Sequence, residues 1–224
     1  MKIVKKSMNF KKILKYKNRK EKIEVFYNRY KDILVNSILD VGADECYLLN
    51  YLPKNIKYKG IGLGSDNQNL ININLEKEKI PFADNTYYTV ICLNVLEHLD
   101  NIHEIFDELC RVSSKYIIIS LPNPYNDFMN FIFKGTKYNK NLKFYGLEPE
   151  KEVDRHKWFF SSTEANNFIN KRSEKNNFKV IDFYSIINKK WNNIFIKIFF
   201  KLFLKGINLK DCQNGTMWWV LEKK

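Results

Sequence analysis

No apolar run in this 224-residue chain approaches the roughly 18 to 20 residues that a membrane-spanning helix needs. The basic N-terminus is not followed by an apolar h-region, so a secretory signal is not expected. Cysteines are few and scattered: Cys46, Cys92, Cys110 and Cys212 show no CxxC spacing. They form neither a disulfide frame nor a zinc site, and they fit reduced thiols in a cytoplasmic protein, with no metal centre expected. The chain also lacks internal repeats and any Gly/Ser/Pro-rich linker that would divide it, having 8 glycines and 5 prolines in all. One domain is therefore expected over 23–224, behind a basic arm at 1–22.

What is present can bury a full core, since 45% of the residues are hydrophobic. The net charge is +13, and residues 1–22 supply nine of those charges, from ten Lys/Arg against Glu21. A basic front end is attracted to nucleic acid or to an anionic membrane surface. No arginine cluster or nucleic-acid-binding module accompanies it, which argues against nucleic acid. Lysine outnumbers arginine, and Asn and Ile are abundant. An AT-rich genome produces the same bias without a partner.

Alternating strand and helix patterns organise the rest. Strands are predicted at 37–41, 57–61, 88–93, 115–120, 178–184 and 216–222, with a short run at 70–73. Helices are predicted at 23–35, 45–52, 100–112 and 161–174, the last opened by "SSTEANNF" with Glu164 in its first turn. This order implies an α/β chain: a mostly parallel sheet with helices on both faces and an antiparallel last strand. Residues 123–158 lack clear periodicity and read as an insertion, centred on about 125–160, over one sheet edge. In such a sheet, ligands bind beyond the carboxyl ends of the strands where strand order reverses. The turns 42–46, 62–66, 94–101 and 121–124 should then line one mouth.

Residues at this mouth carry a specific resemblance. "IPFADNTYYTVICLNVLEHLDNIHEIFDELCRVSSKYIIISLPNP", with "ILDVGA" and "YKGIG" before it, resembles the middle of class I S-adenosylmethionine-dependent methyltransferases, especially the bacterial small-molecule type. It covers roughly 36–124. The later "YGLEPEKEVDRHKWFFSSTEANNFI" (145–169) resembles a segment of methyltransferases found with cell-surface polysaccharide genes. The resemblance implies a Rossmann-like methyltransferase fold, S-adenosylmethionine as cofactor and a small-molecule or glycan-type acceptor. It also implies that Asp40 supports the methionine amino group and that Gly42 lets the chain pass under the cofactor. Ala43, Leu63, Asn94 and Val95 would be their neighbours.

Several positions depart from the family pattern. Its next two glycines match Asp44 and Cys46. Its ribose-binding acid matches Gly62, its adenine-side acid matches Asn74, before Leu75, and the acid opening its fourth strand matches Tyr88. A carboxylate that accepts two ribose hydroxyls makes charge-assisted bonds of about 1.5–3 kcal/mol. Without it, affinity should fall by about one to two orders of magnitude. The alternative to an enzyme is a protein of this fold that binds the cofactor weakly or not at all and serves as a binding or membrane-associated partner.

Two further segments stand out. His98 follows the strand at 88–93 and reads either as a general base or as a histidine bonding backbone at a helix start. In "DRHKW", Asp154 and His156 form a candidate acid–base pair and Trp158 a ring platform, with a turn anchored by aromatics as the other reading. In "NIFIKIFFKLFLKG", residues 193–205 set Asn193, Lys197, Lys201 and Lys205 in one polar stripe on an otherwise apolar helix. Such a helix lies in an anionic membrane interface together with the arm at 1–22, or covers the sheet or a dimer face.

Overall fold

The computed structural model describes residues 18–64, 67–135, 149–150, 155–187, 193–203 and 206–224. Seven strands form one sheet: β1 (Ser37–Val41), β2 (Lys57–Gly62), β3 (Leu70–Asn72), β4 (Tyr87–Leu93), β5 (Ser113–Leu121), β6 (Phe178–Ile187) and β7 (Asn214–Lys223). Their order is β3-β2-β1-β4-β5-β7-β6. The pairs from β3 to β5 are parallel, and β7 runs antiparallel to both β5 and β6. Order reverses between β1 and β4, which places the ligand mouth at their carboxyl ends.

The strands are apolar on both faces because helices cover both. On one face, α1 (Arg19–Tyr30) brings Phe26 and Tyr30 against Ile38, Ile91, Ile118 and Trp218. On the other, α2 (Ile102–Val112) and α4 (Ser162–Lys175) bring Phe106, Leu109 and Ile169 against Leu39, Val90, Ile117 and Trp219. Successive side chains in a strand point to opposite faces. Trp218 and Trp219 therefore anchor the two cores separately, and both are fully buried.

Every predicted strand is present. At α4, Ser161 accepts from the Glu164 N–H and the Glu164 side chain accepts from the Ser161 N–H, the reciprocal cap expected there. Three expectations are corrected. The helix expected over 23–35 runs over Arg19–Tyr30, opened by Asn18, whose side chain accepts from the Glu21 N–H. The helix expected over 45–52 is only a 3-10 turn at Tyr47–Asn50, because Cys46 takes a left-handed backbone and Pro53 closes the segment. Part of the stretch expected to lack periodicity is a helix, α3 (Pro124–Lys134). Pro124 occupies its first turn, where proline is favoured, and Tyr125, Phe128, Met129 and Ile132 fall at helical spacing. α5 (Ile194–Phe203) and α6 (Leu209–Gln213) follow β6. Phe200 of α5 packs with Met129 and Cys212 in a small third cluster.

Candidate active site

The chain leaving β1 turns on Gly42, whose φ is +76°. A Cβ there would stand 2.2 Å from Cγ2 of Val95, so only glycine fits under the β4 exit. The next turn positions repeat this left-handed geometry without glycine: Asp44 has φ 50° and Cys46 φ 54°. The backbone path of a glycine-rich turn is retained while its residues are changed.

A cavity of about 230 Å³ opens at this turn, lined by Lys22, Asp40, Gly42, Ala43, Asp44 and Asn94, among others. Asp40 is buried and accepts a hydrogen bond from the Tyr58 hydroxyl at 2.9 Å. Burial pushes its carboxyl up to about 7, and the Tyr58 bond pulls the other way. Lys22, from α1, donates to Oδ1 of Asn94 at 2.8 Å. Asn94 has a positive φ and also accepts from the Ser120 hydroxyl at 2.7 Å. Lys22 thus belongs to the cavity wall, while residues 1–17 of the basic arm lie outside the described residues.

The other expected cofactor contacts sit at neighbouring strand ends. Gly62 ends β2 beside the first turn: a Cβ on it would lie 3.5 Å from Cα of Gly42, ordinary contact. Leu63 is 68% exposed. Asn74 caps its own turn, its side chain accepting from the Glu76 N–H at 3.0 Å. Leu75 is a core residue whose carbonyl accepts from Asn101 at 2.8 Å. The fit to S-adenosylmethionine is good at the amino-acid end, where Asp40 and Lys22 offer one charge of each sign. It is poorer at the ribose end, where Gly62 supplies no carboxylate.

Beyond Asn94 the chain forms a 3-10 turn, Leu96–His98. The histidines of the sequence reading meet here: the rings of His98 and His156 lie 4.7 Å apart, edge to face. Nδ1 of His98 is 3.0 Å from the Arg155 carbonyl. That oxygen can only accept, so Nδ1 carries the proton and Nε2 is the basic atom. Nε2 lies 3.9 Å from Oε1 of Glu97, a fully buried residue. Asp154 lies outside the described residues. The carboxylate beside the histidine pair is Glu97, a residue that the family pattern retains and to which the sequence assigned no catalytic role.

Backbone and side-chain bonds fasten 155–158 to this turn. The Lys157 N–H donates to the Glu97 carbonyl at 2.8 Å, Lys157 pairs with Glu76 and Asp100, and the Trp158 indole donates to the Leu99 carbonyl at 2.7 Å. Residues 155–158 are therefore anchored structurally and still deliver His156 to the site. Trp158 also lines a second, largely apolar cavity of about 220 Å³ with Phe159, Phe160, Leu121 and Phe168.

Residues 34–116 match the family model described as "Methyltransferase domain". Comparison with curated proteins gives no match. Among solved structures, the chain is similar to a SAM-dependent methyltransferase from Archaeoglobus fulgidus, with 15% identity, 92% of this chain and 95% of that chain covered, and a TM-score of 0.60. A SAM-dependent methyltransferase from Methanosarcina mazei has 14% identity, covers 86% and 95%, and scores 0.54. Magnesium protoporphyrin IX methyltransferase from Synechocystis, with bound SAH, has 15% identity, covers 92% and 83%, and scores 0.51. The residues that match the family model run from β1 through β4 into the start of β5 and include the Gly42 turn, and the solved structures share the strand order and overall fold of this chain.

Proposed function

We propose that the protein transfers a methyl group from S-adenosylmethionine to a nucleophilic oxygen or nitrogen of a small-molecule or glycan-type acceptor. The observation that carries this reading is the cavity at the β1–β4 reversal, which holds a buried carboxylate, Asp40, and an ammonium, Lys22, around the constrained Gly42 turn. That pair complements an α-amino-acid zwitterion. The carboxylate meets the ligand's ammonium, and the Lys22 ammonium meets its carboxylate. Bound there, the cofactor supplies an electrophilic methyl group. The acceptor's lone pair forms the new bond to carbon as the carbon–sulfur bond breaks and its electron pair stays on sulfur. The His98–Glu97–His156 cluster stands at the next strand exit, on the side from which the acceptor would approach. Alignment of the two reactants supplies most of the rate, and no observation favours a binding-only role over catalysis.

Isothermal titration with S-adenosylhomocysteine, followed by transfer from labelled S-adenosylmethionine to a panel of hydroxyl and amine acceptors, tests the reading. Weak but measurable S-adenosylhomocysteine binding is expected, reduced by about tenfold in Lys22→Ala. Folded wild-type protein that binds nothing at millimolar ligand would refute it.

We also propose that the protein binds an anionic membrane surface peripherally through α5. This helix exposes Ile194, Phe195, Leu202 and Phe203 by 59–77%, with Lys197 and Lys201 among them. No helix among the described residues is long and apolar enough to cross a membrane, so contact would be peripheral.

A further inference from the structure

We infer that Glu97, His98 and His156 form a binding site for a first-row divalent transition-metal cation, at the place where the acceptor is to be methylated. One ligand atom from each residue lies within 4.8 Å of the other two. Around an ion with bonds of about 2.0–2.2 Å, ligand atoms stand about 3–3.5 Å apart. Small side-chain rotations therefore close the set. The donors are one carboxylate oxygen and two imidazole nitrogens, the 2-His-1-carboxylate combination that suits zinc, manganese or iron(II) better than the all-oxygen shells of magnesium and calcium.

An independent observation supports the cluster as a ligand set. Nδ1 of His98 lies 3.0 Å from the Arg155 carbonyl, which can only accept, so Nδ1 carries the proton there and Nε2, 3.9 Å from Oε1 of Glu97, is the nitrogen left for a metal. A backbone carbonyl orienting a histidine from behind is also the usual outer support of a metal-bound imidazole. The segment that carries His156 is bolted to the turn by the bond from the Lys157 N–H to the Glu97 carbonyl and by the Trp158 indole. The two halves of the site are thus held together although 58 residues separate His98 from His156. Glu97 is fully buried, whereas the His98 side chain is 24% exposed. Three protein ligands with one open side leave coordination positions for a small molecule.

This inference rests on the methyl-transfer reading for its chemistry. With the cation bound, both imidazoles would be ligands, and the acceptor hydroxyl would bind the open side. The cation lowers the acceptor's pKa, its proton leaves to solvent water rather than to either ring, and the oxygen lone pair is free to attack the methyl carbon.

Equilibrium dialysis of untagged protein against Mn²⁺ and against Zn²⁺, with metal content measured by emission spectrometry, tests the site. One ion per chain is expected. Affinity should fall by about 100-fold in His156→Ala and in Glu97→Gln, while His103→Ala, outside the cluster, should bind as wild type. Thermal melts establish that each variant is folded, and the half-exposed His156 keeps the test usable if Glu97→Gln does not fold. Folded wild type that retains neither metal at millimolar concentration, or equal binding by His156→Ala and wild type, overturns the site and leaves the 3.9 Å contact as an imidazolium–carboxylate pair. S-adenosylhomocysteine titrations on the same samples separate the two readings. S-adenosylhomocysteine binding without metal binding rejects this site alone, and metal binding without S-adenosylhomocysteine binding supports the site while rejecting methyl transfer.

Discussion

Asp40 is an acid held where acids are costly. Its carboxyl titrates near 7 rather than at the ordinary 3.8 because burial disfavours the charge. An acid whose folded pKa exceeds its unfolded one binds an extra proton in the folded state between those values. Its contribution to stability is thus fully present below about pH 4 and is lost as pH rises through about 7. Thermal melts from pH 4 to 8 should show wild type losing stability relative to Asp40→Asn across that window. A ligand ammonium reverses the preference, so S-adenosylhomocysteine should bind more tightly at pH 8 than at pH 6, and this dependence should vanish in Asp40→Asn. At Gly62 an added Cβ meets only ordinary contacts. Gly62→Asp should therefore fold and tighten S-adenosylhomocysteine by about 10- to 100-fold, as titration calorimetry will read. Asp44 occupies a left-handed conformation that aspartate tolerates and β-branched residues do not. Asp44→Val should lower stability by about 1–2 kcal/mol in denaturant titrations, whereas Asp44→Gly should not.

The helix α5 separates two roles along ten residues. Phe200 is buried against Met129 and Cys212, whereas Phe203 is 71% exposed. Phe200→Ala should cost about 3 kcal/mol of stability, and Phe203→Glu almost none. Vesicle co-sedimentation with anionic lipid should give the opposite ranking: wild type pellets at low salt and less so at high salt, and Phe203→Glu stays in solution. Wild type remaining in the supernatant at low salt would assign the exposed face to another protein surface. Periodicity located this helix within two residues at each end, and it did the same for every strand but β6, which runs three residues past its expected end, because a sheet buried on both faces requires near-continuous apolar runs. It failed at 45–52. Leu48, Leu49 and Leu52 mimic helical spacing there, but left-handed Cys46 and Pro53 leave room for a single turn. It also missed α3, whose apolar positions are diluted by Asn and Lys and are recognisable mainly by Pro124 behind Asn123.

At the scale of the molecule, ligand and fold are linked through the mouth between β1 and β4. S-adenosylhomocysteine at ten times its dissociation constant should add about 1.4 kcal/mol of stability, read as a higher melting temperature. Lys22→Ala should show a smaller shift at the same ligand concentration. The β1 half of this site was legible because it is local: Asp40, Gly42 and Ala43 follow one strand. The histidine half was not. His98 and His156 were each named, yet their contact depends on how residues 155–158 dock on the Leu96–His98 turn, 57 residues away in sequence from His98 to Arg155. Glu97 and Lys22 were hidden for the same reason, one inside a motif and the other on a helix that reaches the cavity from the opposite end of the sequence.

β7 lies between β5 and β6 although it is the last of the three to be made. A nascent chain halted before residue 214 carries β6 with no neighbour to bond, and both cores lack their tryptophans. Such a chain exposes two raw sheet edges at once, those of β5 and β6, and each is open to strands of other molecules. Quality control would therefore meet arrested forms of this protein as aggregation-prone fragments rather than as compact, partly active domains.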